Sequence, residues 1–440
     1  MTACASLPDL SDLNTVQPVA NVTVTNGKAV LSQKNATLAF AKRLRNTKVD
    51  VKTLAALEEA VTGYPLIAGN KVTLLFDGPQ TLGAMIAAIR NAKDHINLET
   101  YIFDQDKLGL EFADLLIEKQ RTGVQVNILY DSIGTLGTPA GFFDKMRAAG
   151  IHLTEFNPVN PLLAVSGWRI NNRDHRKILV VDGLIGFAGG VNIAGDYARS
   201  SLFRSKGKRN TELGWRDTHL QIEGPAVATL QWLFLQTWAG QQSDALADRQ
   251  YFPRLTAAGD KVIRIVPTTP ESDFEIYKAY VLAFQNAQQT IHITNAYFAP
   301  DAQLVRALTD AARRGVEVKM VFPGMSDAGL VFHAGRSFYS TLLDAGVKIY
   351  ELKASVLHAK TCVIDSTWST VGSANLDMRS FLHNSEINVV VLGTVFAQQM
   401  ESAFQEDLNN SNQISKTQWE QRPITDRIKE WTARRFEYWL

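Results

Sequence analysis

The feature that most constrains this chain is a ten-residue pattern that occurs twice. "DHRKILVVDG" at 174–183 and "LHAKTCVIDS" at 357–366 each place a histidine and a lysine two apart, then an apolar run, then an aspartate five positions past the lysine. Both are followed by an asparagine 17 positions beyond the histidine, Asn192 and Asn375. The β-branched runs predict short buried strands stopped by turns. Strand alternation then sets His175 beside Lys177, and His358 beside Lys360, on a common face. One such pair at a strand edge is ordinary solvated surface, but two copies with matching downstream spacing indicate an internal duplication.

Self-comparison extends the repeat. Segment 88–106 aligns with 283–301, 121–131 with 314–324, and 146–156 with 342–352, in the order strand, helix, strand, helix, strand, motif. This predicts an α/β fold of two homologous βαβαβ domains, with mixed, mostly parallel sheets flanked by helices and a pseudo-twofold axis that brings both motifs to one interface. The expected divisions are an N-terminal extension at 1–71, a first domain at 72–250, a second at 251–410 and an amphipathic tail at 411–440. Within the extension, 35–46 and 49–61 predict helices packing on the first domain. Tyr101 and Tyr297 are 196 apart but the motif histidines only 183, so the first half carries 13 extra residues, placed at 157–171 as a loop over the site. That loop is expected to pack on its own domain, with lipid contact as the alternative.

Bulk properties narrow the partners. A net charge of +1 with 20% charged residues lacks the basic excess of a duplex binder, so no nucleic-acid partner is expected. The basic run "RSKGKR" at 204–209 reads as a solvated loop or an anion funnel. No window reaches the ~18 consecutive apolar residues of a membrane-spanning helix. The two cysteines provide no disulfide framework: Cys362 lies inside the second motif strand, and Cys4, in "TACAS", resembles the lipidation end of a bacterial lipoprotein signal. The tail, with Trp431, Phe436, Trp439 and Leu440, predicts a helix that either lies at a membrane interface or docks on the protein. The expected location is a bacterial cell envelope, held peripherally or through Cys4.

Two histidines converging from two halves can divide one phosphodiester displacement into two steps. One attacks phosphorus, while the other protonates the leaving alkoxide and later activates the incoming hydroxyl. Lys177, Lys360, Asn192 and Asn375 would hold the non-bridging oxygens, with Ser373 as a further donor and Gly190 at the matching place, so no metal and no other cofactor is expected. Each histidine also needs a carboxylate on its far nitrogen. Searched downstream within each half, the candidates are Asp217 in "GWRDTHLQIEG" and Glu386 in "HNSEINVVV". Asp182 and Asp365 belong to the motif's catalytic set but read as structural, holding the turn through side-chain to backbone bonds.

The paired His-x-Lys-x4-Asp pattern resembles the signature of the phospholipase D superfamily over roughly residues 72–410. Within it "YIFDQDKLG", "GGVNIAGDY", "WRDTHLQIEGPAV", "AYFAPD" and "GSANLDMRS" are similar, in the same order, to segments of bacterial cardiolipin synthases; "TNAYFAPD" and "LHNSE" depart from that pattern. The resemblance implies a phosphohistidine intermediate on His175, His358 as acid and base, and site roles for Asn192, Asn375, Asp217 and Glu386. It implies a phospholipid substrate at a membrane surface and conversion of two phosphatidylglycerols to cardiolipin and glycerol. A phospholipase D releasing phosphatidic acid is the alternative, followed by a phosphodiesterase or nuclease and then a catalytically dead lipid-binding scaffold. Intact histidine, lysine and asparagine in both halves argue against the scaffold.

Overall fold

The computed structural model describes residues 6–44, 49–163, 168–198, 214–270, 272–326 and 328–439. Cys4, the basic run at 204–209, part of the 157–171 segment and Leu440 lie outside the described residues.

The first half is built on β1 (Leu66–Leu75), β2 (His95–Thr100), β3 (Gln125–Asp131), β4 (His152–Phe156), β5 (Ile178–Val181), β6 (Ile185–Gly189) and β7 (His219–Glu223). They lie in the order β1-β7-β6-β5-β2-β3-β4. The second half uses β8 (Lys261–Thr268), β9 (Thr290–Asn295), β10 (Glu317–Pro323), β11 (Lys348–Leu352), β12 (Lys360–Ile364), β13 (Trp368–Gly372) and β14 (Asn384–Leu392), in the order β8-β14-β13-β12-β9-β10-β11. The two orders correspond strand for strand, which is the duplication seen in three dimensions. Among these fourteen strands, parallel pairing with one another is confined to β2-β3-β4 and β9-β10-β11, the strands joined by crossover helices. The motif strands turn back as hairpins and run antiparallel to their neighbours, so the sheets are mixed.

Strand β1 joins the halves. Residues Lys71–Leu75 pair with β7, while Ile67–Asn70 pair with β8 of the second half. A core of Ile178, Val180, Ala188 and Ile222 against Val363, Val371, Ile387 and Val389 fills the space between the two sheets. Removing these side chains from water is the main cohesion between the halves.

The N-terminal helices depart from expectation, and the tail takes the docking alternative. The helix Val51–Thr62 packs on Glu275–Asn286 of the second half, not on the first domain. Its Glu58 is fully buried, ion-paired with Arg264 and hydrogen-bonded by the Trp368 indole at 2.6 Å. A carboxylate that deep would be costly without both partners, and Arg264 and Trp368 both belong to the second half. The boundary expected at 71/72 falls inside β1. The one expected at 410/411 is bridged by Ser411–Ile414, an added strand on β11. Beyond it, the helix Ile424–Arg434 docks on Gly329–Arg336 through Ala433, yet leaves Ile424, Ile428 and Trp431 exposed.

Candidate active site

Each motif histidine sits just ahead of its strand rather than within it, where the chain crosses to the other half. Arg173–Asp174 pairs in parallel with Asn384–Ser385, and Val356–Leu357 with Trp215–Arg216. The two short ladders are related as the halves are. Each lays the residue before one half's histidine beside the residue before the other half's carboxylate.

The histidine partners therefore cross between halves, whereas the sequence predicts one within each half. His175 Nδ1 lies 3.0 and 3.1 Å from the two oxygens of Glu386, and His358 Nδ1 lies 2.7 Å from Asp217 Oδ2. With Nδ1 donating to a carboxylate, each ring keeps an Nε2 lone pair. Burial pushes both histidines down to about 4, partly offset by the carboxylates, so both rings are neutral near pH 7. Burial alone would raise Glu386, but His175 and Lys177 beside it hold it down at about 2, and His358 likewise overcomes burial to keep Asp217 low. Burial also lowers Lys177 to about 7, against the pull of Glu386.

The lysines are locked in the same way in both halves. Lys177 Nζ donates to the His175 carbonyl at 2.5 Å, and Lys360 Nζ to the His358 carbonyl. Tyr101 lies under the first ammonium, 5.2 Å from its ring centre, and Tyr297 under the second at 6.0 Å. Each tyrosine also meets its histidine edge-on. Neither was singled out from the sequence as a site residue, although the alignment that locates the repeat sets the two tyrosines opposite one another.

The remaining candidates divide. Asn192 and Asn375 both line the cleft. Asn192 is engaged, its amide donating to the Tyr197 hydroxyl and its oxygen accepting from Ile102 N, whereas Asn375 Oδ1 is buried with no partner among the described residues. Ser373 was expected to donate to substrate. Its hydroxyl instead donates to Glu386 and accepts from Ile387 N. At the matching Gly190 an added Cβ would fall 2.1 Å from Asp217 Oδ1, so that position must be glycine. Asp182 and Asp365 end their strands about 20 Å of chain away from the histidines. Their carboxylates accept from the backbone of Lys93, Asp94 and His95, and of Gln288, Gln289 and Thr290. They thus brace the entry of β2 and β9 rather than their own turns, whose left-handed residues are Asp182-Gly183 and Asp365-Ser366.

The cleft measures about 320 Å³ and is lined by both histidines, Tyr101, Trp215, Tyr297, Val331, Arg379 and Trp439 among others. That is small for a ligand site and suits one compact polar group.

A sequence model described as "Cardiolipin synthase, PLD-like domain" matches residues 85–222 and 280–408, once in each half. A cardiolipin synthase of Alkalihalophilus pseudofirmus is 36% identical over 374 residues, covering 84% of this chain and 72% of its own. Cardiolipin synthase 2 of Bacillus cereus is 37% identical over 395 residues, covering 89% and 74%. Among solved structures, a phosphatidylserine synthase of Haemophilus influenzae superposes over 87% of this chain and 99% of its own, with a TM-score of 0.64 and 14% identity, a likeness of fold. With a duplicated domain, a crossed pair of histidines and relatives this similar over most of their length, the chain belongs to the cardiolipin synthase family of the phospholipase D superfamily and is a phospholipase D-type phosphatidyltransferase.

Proposed function

We propose that this protein joins two phosphatidylglycerols into cardiolipin with release of glycerol, through a phosphohistidine on His175. The observation that carries this is the crossed pair: two buried neutral imidazoles, each held by the other half's carboxylate, in one cleft of headgroup size. His175 Nε2 attacks phosphorus, the phosphorus–oxygen bond to the departing glycerol breaks, and protonated His358 gives that oxygen its proton. In the second step His358 takes the proton of the acceptor hydroxyl, whose oxygen attacks phosphorus as the phosphorus–nitrogen bond breaks and His175 is restored. His175 is favoured as nucleophile because its side chain is the more accessible, 11% exposed against 6% for His358. Lys177, Lys360, Asn192 and Asn375 stabilise charge on the non-bridging oxygens. The anionic phosphodiester entering the cleft favours the charged forms of Lys177 and His358 that burial disfavours.

The substrate lies in a lipid surface. Among the described residues no helix is long and apolar enough to cross a membrane. Peripheral seating is proposed through Ile424, Ile428 and Trp431, one helix stripe exposed on the element that leads to Trp439 at the cleft, with Cys4 as a candidate lipid anchor.

The test is product analysis on phosphatidylglycerol vesicles. Cardiolipin plus free glycerol is expected as the main product, with phosphatidic acid minor and no added divalent metal required. Phosphatidic acid dominating at high phosphatidylglycerol, undiverted by added alcohols, would make the protein a hydrolase.

A further inference from the structure

The histidines, lysines and asparagines account for one phosphodiester, but a reaction between two phospholipids brings two. Among the described residues of the cleft, Lys177 and Lys360 are matched by Glu386 and Asp217, all four buried, and leave no charge for the second. One further cation stands on the wall. Arg379, two residues past Asp377 on the short helix Met378–Leu382, lines the cleft with Tyr101, Asn375 and Asn384.

Its setting is that of a guanidinium kept free for an anion. No described carboxylate lies within ion-pair distance of it; Asp377 is turned to cap the helix, accepting from Ser380 N at 2.7 Å. Among the described residues its one side-chain hydrogen bond is to a neutral oxygen, Nη1 to Asn171 Oδ1 at 3.1 Å, which orients the fork without neutralising it. Asn171 belongs to the extra segment of the first half, so the insertion with no counterpart in the second half fixes a second-half arginine across the cleft. Two-fold symmetry does not repeat the feature. Asp196 stands four positions past Asn192, as Arg379 does past Asn375, and it is exposed.

We propose that Arg379 is the phosphate clamp of the acceptor, selecting an alcohol that carries its own phosphodiester over water or a simple alcohol. This rests on the transferase reading above and names the acceptor class for it. A planar guanidinium takes two oxygens of a phosphate at once. Holding the acceptor by its phosphate raises the effective concentration of its hydroxyl at the phosphohistidine above that of freely diffusing competitors. The first displacement, which uses only the donor, does not need it.

The experiment is a competition. Wild type, Arg379→Gln and Arg379→Lys act on phosphatidylglycerol vesicles with ethanol present, and cardiolipin, phosphatidylethanol and phosphatidic acid are quantified together. All three products draw on the same phosphohistidine, so their ratios report acceptor choice independently of donor use. In Arg379→Gln the ratio of cardiolipin to phosphatidylethanol is expected to fall roughly tenfold, with Arg379→Lys recovering part of the ratio. An unchanged ratio overturns the clamp, whether turnover is kept or all products fall together. Wild type forming no cardiolipin would sink the transferase reading and the clamp with it, whereas cardiolipin with an unchanged ratio sinks the clamp alone.

Discussion

Around His175 it is the carboxylate that is built up; around His358 it is the wall. Glu386 meets His175 with both oxygens and is itself held by Ser373 and Asn384, the latter at 3.0 Å. Asp217 meets His358 with one oxygen, its other accepting from Thr218 N, and Gly190 stands where the serine would be. His358 gains instead Tyr197, whose hydroxyl lies 3.1 Å from Nδ1, with Trp215 and Tyr297 completing an aromatic enclosure. The position of Tyr197 in the first half is taken in the second by Ser380, which accepts from Asn375 N. The duplication sets one arrangement in each half, and the surroundings of the two copies differ as the two proposed roles require. A carboxylate with a full set of donors stays ionised and favours charge on the ring proposed here as the nucleophile. An enclosed ring held by a single carboxylate oxygen is suited to passing a proton in both directions.

The largest expected effect would break the comparison outright. His175→Ala and His358→Ala should each lower turnover by roughly three orders of magnitude or more. With phosphorus-labelled substrate, only His358→Ala should retain label on the protein. Label on His175→Ala and none on His358→Ala would exchange the two roles.

Next in size are the carboxylates, which test the crossing. Glu386→Gln and Asp217→Asn should each cost on the order of 10²–10⁴ in turnover, since an amide leaves the ring in the wrong tautomer. In rapid-quench experiments Glu386→Gln should slow formation of the labelled intermediate, and Asp217→Asn should slow its decay. The opposite assignment would mean that each half serves its own histidine in solution.

The Ser373 and Gly190 positions sharpen the contrast at lower cost. Gly190→Ala drives a methyl into Asp217 and is expected to destabilise the fold by several kcal/mol while displacing the His358 partner. Ser373→Ala removes one donor to Glu386, about 1–3 kcal/mol because that carboxylate is buried, and should leave a folded protein with turnover lowered about tenfold. Equal thermal shifts in the two variants would erase the distinction drawn between them.

Smallest is a pH effect common to both sides. His175 and His358 are pushed from the ordinary 6.5 to about 4, and His219 to about 3, in each case chiefly by burial. Between pH 6.5 and 4 the unfolded chain binds protons at these positions that the fold does not, so stability falls as pH falls through that window. Denaturant midpoints measured from pH 7 to pH 4 should decline. Replacing His219 by Asn, the residue at the equivalent Asn388, should flatten the decline if the replacement folds.

Much of this was legible because the duplication repeats it. The βαβαβ order, the histidine and lysine pairs, the asparagines and both carboxylates follow from short motifs with regular spacing, and strand periodicity is a local property. The ends were harder to place. A helix such as Val51–Thr62 shows its apolar stripe in sequence, but nothing local says which of two similar domains the stripe faces; the buried Glu58, Arg264 and Trp368 group made that choice.

The sequence by itself determined that there are two copies of one unit and which histidines, lysines and asparagines recur at matching places in both, a set whose chemistry points to a phosphodiester. Only the tertiary structure decided that Glu386 serves His175 and Asp217 serves His358, that Ser373 supports a carboxylate rather than substrate, and that Asn171 steadies Arg379 on the wall of the cleft. The physical reason is range. Spacing along a chain reports on neighbours within a strand or a helix. The contacts that distinguish the two histidines run between residues 141 and 211 positions apart, brought together by the two short crossing ladders and the apolar layer shared by both sheets.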